Sequence, residues 1–233
     1  MRSLLTLCVL TAFVLPAYAG NVTGIVRYEG KVPKMRPIDM SSDPACCLNE
    51  DDRARVNEAL VLGADKTMAN VLVEVVNVPK GDYPAPEAAV VLTQKGCRYS
   101  PHVLAVRAGQ PIKILNPDGT VHNVNGMPEK NDAFNVGMPK DLAEYTLTLD
   151  TPEPPFPIRC DVHPWMKSYC VVFDHPFFAV TDDSGVFEIE GLPPGEYTIR
   201  AWHEKLGEQT ASVTVTEQRA GVHDFTFARP SAG

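Results

Sequence analysis

The feature that most constrains this chain is a series of short apolar runs with the two-residue alternation of β-strands, each bounded by proline or glycine. The sequence contains 21 prolines and 16 glycines, which interrupt any longer helical pattern. Short strands at this spacing bury their apolar faces by packing one sheet on another, so the sequence predicts an all-β protein in β-sandwich form. The runs are Val22–Tyr28, Val71–Val78, Ala89–Leu92, Val103–Val106, Ile112–Leu115, Tyr145–Leu149 and Cys170–Phe173.

The first 19 residues have the pattern of a secretory signal peptide. Arg2 precedes an apolar run over Leu4–Leu15, and small residues around Ala19 offer a cleavage site before Gly20. A membrane-spanning helix needs roughly 20 apolar residues, and this run is shorter. We therefore expect a periplasmic or secreted protein that is cleaved near Ala19 and has no membrane span.

The charge pattern argues against a nucleic-acid partner. The formal net charge is −8 at pH 7, and lysine and arginine form no basic run. Binding to phosphate groups needs clustered positive charge, which this sequence does not offer.

Five cysteines follow the predicted cleavage site, and an odd number leaves one thiol without an intramolecular partner. In an oxidising compartment such a thiol is open to oxidation unless something protects it, and a bound metal is one protector. The count alone also allows an idle buried thiol or an intermolecular disulfide. The five are Cys46, Cys47, Cys97, Cys160 and Cys170.

One short segment offers three metal-binding side chains in close succession. Cys160, His163 and Met166 supply a thiol, an imidazole and a thioether at i, i+3 and i+6. Copper cycles between a soft and a harder oxidation state, and two histidines, one cysteine and a distant axial methionine suit both. A fourth ligand must come from elsewhere, and His122 follows a predicted strand upstream. Asn123 beside it is placed to hydrogen-bond across to the Cys160 loop.

A structural zinc site is the main alternative for these residues. Zinc sites usually contain a second cysteine or histidine pair at similar spacing, and the sequence has no C-x2-C or H-x3-H motif. The pattern therefore favours copper.

The segments "GQPIKILNPDGTVHNV" and "CDVHPWM" resemble the cupredoxins, amicyanin and plastocyanin among them, over about residues 88–173. The resemblance implies a Greek-key β-sandwich with one type 1 copper ion. Carried over residue by residue, it makes His122, Cys160, His163 and Met166 the copper ligands.

With all four ligand positions filled by protein, no place remains for a substrate, so we expect an electron carrier with no catalytic residues rather than an enzyme. The expected electron port is the edge of His163 with Pro164 and Trp165 around it. The expected partner is a redox protein, a c-type cytochrome or a redox enzyme, that docks transiently.

A second unit is indicated by "TDDSGVFEIEGLPPGEYTIRAW", whose Asp-Gly and Pro-Pro-Gly turns link short antiparallel strands. It resembles the transthyretin-like regulatory β-sandwich of carboxypeptidases. Such modules open with a strand like Val22–Tyr28, far upstream, which implies an insertion. We expect residues 20–80 and 174–233 to form this smaller sandwich and residues 81–173 the copper domain. Alternatively, residues 20–78 pack onto the copper domain.

Assigning Cys160 to copper leaves an even set of four cysteines for disulfides. A bond between the adjacent Cys46 and Cys47 is strained, so we expect each of them to pair with Cys97 or Cys170. Four reduced thiols are the alternative.

Two other classes of function stay open from the sequence. A copper storage or delivery protein would use the same ligands and hand the metal on. A β-sandwich interaction module would need no functional metal at all.

Overall fold

The structure is a computed structural model that describes residues 20–47 and 56–229. The predicted signal peptide lies outside the described residues. The all-β prediction is confirmed, since the described chain consists of sixteen strands with one four-residue helix and one short 3-10 turn. The strands are β1 Gly20–Glu29, β2 Leu72–Val75, β3 Val90–Thr93, β4 Val103–Arg107, β5 Pro111–Leu115, β6 His122–Gly126, β7 Phe134–Met138, β8 Glu144–Thr148, β9 Glu153–Arg159, β10 Lys167–Phe173, β11 Phe178–Val180, β12 Val186–Leu192, β13 Gly195–His203, β14 Gly207–Val215, β15 Gly221–Val222 and β16 Phe225–Ala228; the helix α1 is Pro44–Cys47.

Strands from both ends of the chain form one pair of sheets, here called the terminal sandwich. One sheet has the order β12-β1-β15, with β16 also paired to β1, and the other has the order β11-β2-β13-β14. Alternate residues of β1 and β13 point into a shared core, as their alternating sequence predicts. Gly185 occupies the predicted Asp-Gly turn with a φ of 69°, where a Cβ would lie 2.6 Å from the Val26 carbonyl oxygen.

The remaining strands form the central sandwich. A five-stranded sheet has the order β4-β10-β9-β6-β7, and a three-stranded sheet has the order β3-β5-β8. Ile112 and Ile114 of β5 face Val172 of β10 within one apolar core. His122 opens β6, and the segment from Cys160 to Met166 joins β9 to β10, so both predicted ligand segments belong to the five-stranded sheet.

The two sandwiches meet through an apolar cluster that includes Leu72, Val103 and Phe173, with Phe173 stacked on Phe178 at a ring-centroid distance of 4.4 Å. Beside it lies a largely buried set of charged and polar groups, here called the junction cluster. Its members are Glu58, Arg98, His102, Lys167, Tyr169 and Glu204.

His102 lies at the centre of the junction cluster. Its Nε2 is 2.7 Å from Glu204 Oε1 of the terminal sandwich, and its Nδ1 is 3.6 Å from Glu58 Oε2. Burial alone would lower the pKa of His102, but Glu204 and Glu58 outweigh it and raise the pKa from 6.5 to about 9.

We expect stability to depend on pH through His102. Because its pKa is higher in the folded than in the unfolded protein, its contribution of about 3 kcal/mol is complete below pH 6.5 and is lost as the pH rises through about 9. Urea unfolding between pH 6.5 and 9.5 measures this decline, which should be about 3 kcal/mol smaller in the His102→Gln variant. The pKa of His122 is also raised to about 9, and its contribution is common to both proteins. An equal decline in both proteins would contradict the assignment. The charged and titratable groups around the imidazole are Glu58, Arg98, Lys167, Tyr169, His203, Glu204 and Lys205.

Candidate metal centre

His122 is held at the start of β6 by the loop that precedes it. Asn116 donates hydrogen bonds from its side-chain amide to the carbonyl oxygens of Thr120 (3.1 Å) and Met138 (2.9 Å). Its Oδ1 accepts a bond from the backbone N–H of Asp118 at 3.1 Å. This folded loop brings the Asp118 carboxylate to 3.0 Å from Nε2 of His122. The side chain of His122 is wholly buried.

The second ligand segment closes on itself between β9 and β10. The backbone N–H of Met166 donates to the His163 carbonyl (2.9 Å), and that of Cys160 donates to the Met166 carbonyl (3.3 Å). The N–H of His163 also points at Cys160 Sγ, 3.4 Å away. The tight turn buries all three of these side chains, whereas Val162 and Pro164 between them are exposed.

Asn123 ties the two segments together. Its side-chain amide donates to Asp161 Oδ2 (2.8 Å), and its Oδ1 accepts the backbone N–H of Asp161 (2.6 Å). Two hydrogen bonds between the residues next to His122 and Cys160 fix the spacing of those two side chains.

The structure brings three of the four predicted ligands together. The donor atoms of His122, Cys160 and His163 all lie within 4.8 Å of one another. The two Nδ1 atoms are 3.0 Å apart, and Cys160 Sγ is 3.8 Å from His163 Nδ1. Donors that share one ion at bond lengths of roughly 2 Å lie roughly 3 to 4 Å from each other, so the spacing fits a single metal ion.

The protonation pattern supports the same fit. Each Nε2 faces a carboxylate oxygen at 3.0 Å, Asp118 for His122 and Asp43 for His163. In the neutral form of each imidazole, a proton on Nε2 serves this hydrogen bond and leaves the Nδ1 lone pair directed into the pocket. Two lone pairs and a sulfur that face one another in a buried pocket repel unless a positive charge, a proton or a metal ion, lies between them.

The electrostatics of the pocket favour a positive charge and a thiolate. Burial alone would lower the pKa of His122, but the opposite effect of Asp118 and Cys160 is larger and raises the pKa to about 9. Burial raises the pKa of the Cys160 thiol, but hydrogen bonds from His122 and from backbone N–H groups bring it below its ordinary value. A pocket that stabilises a proton on His122 and a charge on Cys160 also stabilises a metal cation there.

Met166 and Trp165 complete the surroundings of the centre. Met166 is 1% exposed and packs in the same core cluster as Cys160. The Trp165 ring lies 5.1 Å from the His163 ring and donates from Nε1 to the Cys97 carbonyl at 3.1 Å. The role of Met166 as an axial ligand stays a prediction.

The edge of His163, predicted as the electron port, is covered in this structure. The imidazole is 1% exposed because Asp43 Oδ2 and Cys46 Sγ cover its Nε2 at 3.0 and 3.6 Å. Pro164 is exposed and Trp165 is half-buried. Of the predicted electron port, only the outer residues therefore reach the solvent.

One predicted disulfide is confirmed and another is wrong. Cys46 and Cys97 are bonded, whereas Cys170 is a free thiol. Cys170 cannot reach the N-terminal segment because it faces the core from the middle of β10, paired with Phe156 of β9 and wholly buried. Burial raises its pKa and keeps it protonated. The prediction for the side chain of Cys47 lies outside the described residues.

Sequence reasoning missed the two carboxylates that hold the imidazoles. Asp118 stands four residues before His122, a spacing that could have drawn attention to it. It also accepts the backbone N–H groups of Gly96 and Cys97. Asp43 lies 120 residues from His163 in sequence, and no local pattern marks it.

Comparison with known proteins gives two kinds of similarity. Residues 173–228 match the model of the carboxypeptidase regulatory-like domain. No curated protein matches the chain significantly in sequence. Among solved structures, an amicyanin variant in its Cu(I) form is similar at a TM-score of 0.33 and 20% identity, covering 43% of this chain and 98% of its own. The copper-containing nitrite reductase from Thermus scotoductus SA-01 is similar at a TM-score of 0.35 and 20% identity, covering 41% of this chain and 25% of its own.

Within the described residues, no helix has the length and apolar character needed to span a membrane.

Proposed function

We propose that this chain is an exported type 1 copper protein that carries single electrons between redox partners. One copper ion would be held by His122, Cys160 and His163, with Met166 as the weaker axial ligand. When bound, the ion supplies a one-electron couple between Cu(I) and Cu(II).

The observation that carries the proposal is the convergence of two imidazole Nδ1 atoms and one cysteine sulfur in a closed pocket. Nitrogen and sulfur donors together suit both oxidation states of copper. The carboxylates of Asp43 and Asp118 and the hydrogen bonds of Asn123 hold the donors in one arrangement. A rigid donor set rearranges little when an electron arrives or leaves, which favours transfer over catalysis.

The same arrangement argues for retention of the metal. His122, Cys160, His163 and Met166 are all almost wholly buried, so copper would have no direct path to an acceptor protein. We assign no catalytic residue, because protein side chains fill the predicted ligand positions. The expected partner is a redox protein that docks briefly near the exposed Val121, Val162 and Pro164, which adjoin the ligands in sequence.

We further propose that residues 20–80 and 174–233 form the regulatory-like unit and residues 81–173 the copper unit. In support, β1 pairs with β12, β15 and β16, and β2 pairs with β11 and β13. The family-model match over residues 173–228 lies in the proposed unit except for its first residue.

Repeated redox cycling in the presence of a Cu(I) chelator tests the carrier function. The copper-loaded protein is reduced with ascorbate and reoxidised with ferricyanide over many cycles while its visible absorption and metal content are followed. We expect one electron per chain in each cycle and no loss of copper to the chelator.

Two outcomes of this experiment would favour other functions. Progressive transfer of copper to the chelator on reduction would favour a storage or delivery protein. A protein that stays colourless and metal-free after Cu(II) addition would favour an interaction module.

A further inference from the structure

Residues 40–46, here called the cap, lie over the outer edge of His163. Asp43 Oδ2 is 3.0 Å and Cys46 Sγ 3.6 Å from His163 Nε2. His163 is 1% exposed although its neighbour Val162 is 47% exposed. The ligand loop itself therefore reaches the surface, and the cap accounts for the burial of the imidazole edge.

The cap is a single layer with distinct inner and outer faces. Met40 and Cys46 are buried and Asp43 is half-buried, so every third residue points inward. The outer face is exposed and consists of Ser41, Ser42, Pro44 and Ala45. The backbone bonds from Asp43 to Met40 and from Cys46 to Asp43 stay within the cap and order it locally.

Polar side chains, the packing of Met40 in the central core and one covalent bond attach the cap to the centre. Asp43 accepts hydrogen bonds from Thr120 Oγ1 (2.8 Å) and from His163 Nε2. Cys46 is bonded to Cys97 across 51 residues of sequence. At a partly exposed site, water competes for the hydrogen bonds of Asp43. The covalent link holds the cap next to the centre, at a high effective concentration, so that these hydrogen bonds form again after they break.

The two ends of the disulfide differ in how firmly they are held. The backbone N–H of Cys97 donates to Asp118, and its carbonyl accepts from Trp165, so Cys97 is fixed to both ligand segments. Cys46 belongs to the cap. If the bond is cut, Cys97 stays in place and the cap is the part that is released.

We propose that the cap is a reducible cover of the metal centre, latched by the Cys46–Cys97 disulfide and opened by a dithiol reductant. The dithiol gives two electrons and two protons, becomes a disulfide itself, and leaves Cys46 and Cys97 as two thiols. The cap then separates and exposes the Nε2 edge of His163. The inference rests on the proposed function only in that His163 is a metal ligand whose edge a redox partner would approach.

Chemical modification of histidine in the metal-free, full-length protein tests the cap. Diethyl pyrocarbonate is applied with the disulfide intact and after reduction by dithiothreitol, and the modification of each histidine is followed by peptide mass spectrometry. Reduction should raise the modification rate of His163 by at least about tenfold, because local opening sets the reactivity of a buried group. His102, His175 and His203, all buried elsewhere, should keep their rates.

Variants separate the latch from other effects of the reductant. Cys46→Ser should make His163 reactive without dithiothreitol. Cys170→Ala removes a free thiol that takes no part in the latch, and it should behave like the unchanged protein before and after reduction.

Two results would overturn the proposal. The first is a His163 rate that stays low although mass spectrometry shows the disulfide fully reduced. The second is a joint rise of all buried histidines, which would make the disulfide a staple of the whole fold. Because copper is absent throughout, a failure here is distinct from a failure to bind copper or to carry electrons.

Discussion

The Cys160→Ser variant should lose the intense visible absorption of the copper-loaded protein and at least about 100-fold in copper affinity. Residues that merely orient a metal ligand already contribute about 10- to 100-fold, and Cys160 supplies the sulfur itself. A hydroxyl in its place is a hard donor that stays protonated, so the set loses its preference for Cu(I). Absorption spectra during copper titration measure both effects.

Cys170→Ala is the matched control, because Cys160 and Cys170 are the two free thiols of the described chain. Cys170 lies in the same sheet, but its sulfur is not among the donor atoms that converge with His122 and His163, so this variant should keep the spectrum and the affinity. If Cys170→Ala lost the absorption and Cys160→Ser kept it, the assignment of the sulfur ligand would be wrong.

The Glu204→Gln variant should lower the free energy of unfolding by about 3 to 5 kcal/mol, as expected when one partner of a buried ion pair is removed. The carboxylate is 5% exposed and lies 2.7 Å from His102 and 3.3 Å from Lys167. Tyr169 also donates a hydrogen bond to it at 3.1 Å. The neutral amide leaves the charges of His102 and Lys167 without their partner at the junction of the sandwiches.

Glu208→Gln serves as the control for Glu204→Gln. Glu208 pairs with Arg200 at 3.6 Å on an exposed strand, and its loss should change the free energy of unfolding by less than about 1 kcal/mol. Urea unfolding at pH 7 compares the two variants. Equal effects would show that the junction cluster does not link the sandwiches.

The strand predictions succeeded at several runs of regular alternation and missed, among others, a strand rich in proline. β1, β4, β5 and β10 lie within or close to the predicted runs. β9 was not predicted, because it contains Pro154, Pro155 and Pro157. It pairs with the end of β6 and with β10, and the pairing with β10 has a register shift between Cys170 and Val172. Proline has no backbone N–H to donate, so the three prolines interrupt the pairing without abolishing it.

The candidate ligands could be proposed from the sequence because the chemistry of copper restricts both the types and the spacing of its ligands. Cys160, His163 and Met166 are close in sequence, and His122 is next to a strand end. Their surroundings were not predictable, since Asp43 and Cys46 reach His163 only through the tertiary fold, from 120 and 117 residues away. The cap over His163 therefore became visible only in the structure.

The disulfide prediction shows how far an even count of cysteines can be used. The even number of remaining cysteines indicated that four of them could form disulfides, but a count carries no information on which cysteines face the core. Cys170 points inward from β10 and stays a thiol, while Cys97 lies in the loop beside the metal centre and meets Cys46.

The most direct test of the metal centre is the visible absorption spectrum of the purified protein after addition of Cu(II), together with its metal content. We predict one copper ion per chain and an intense blue absorption that ascorbate removes and ferricyanide restores. A colourless protein, or one that takes up zinc in preference and leaves Cu(II) in solution, would contradict the account.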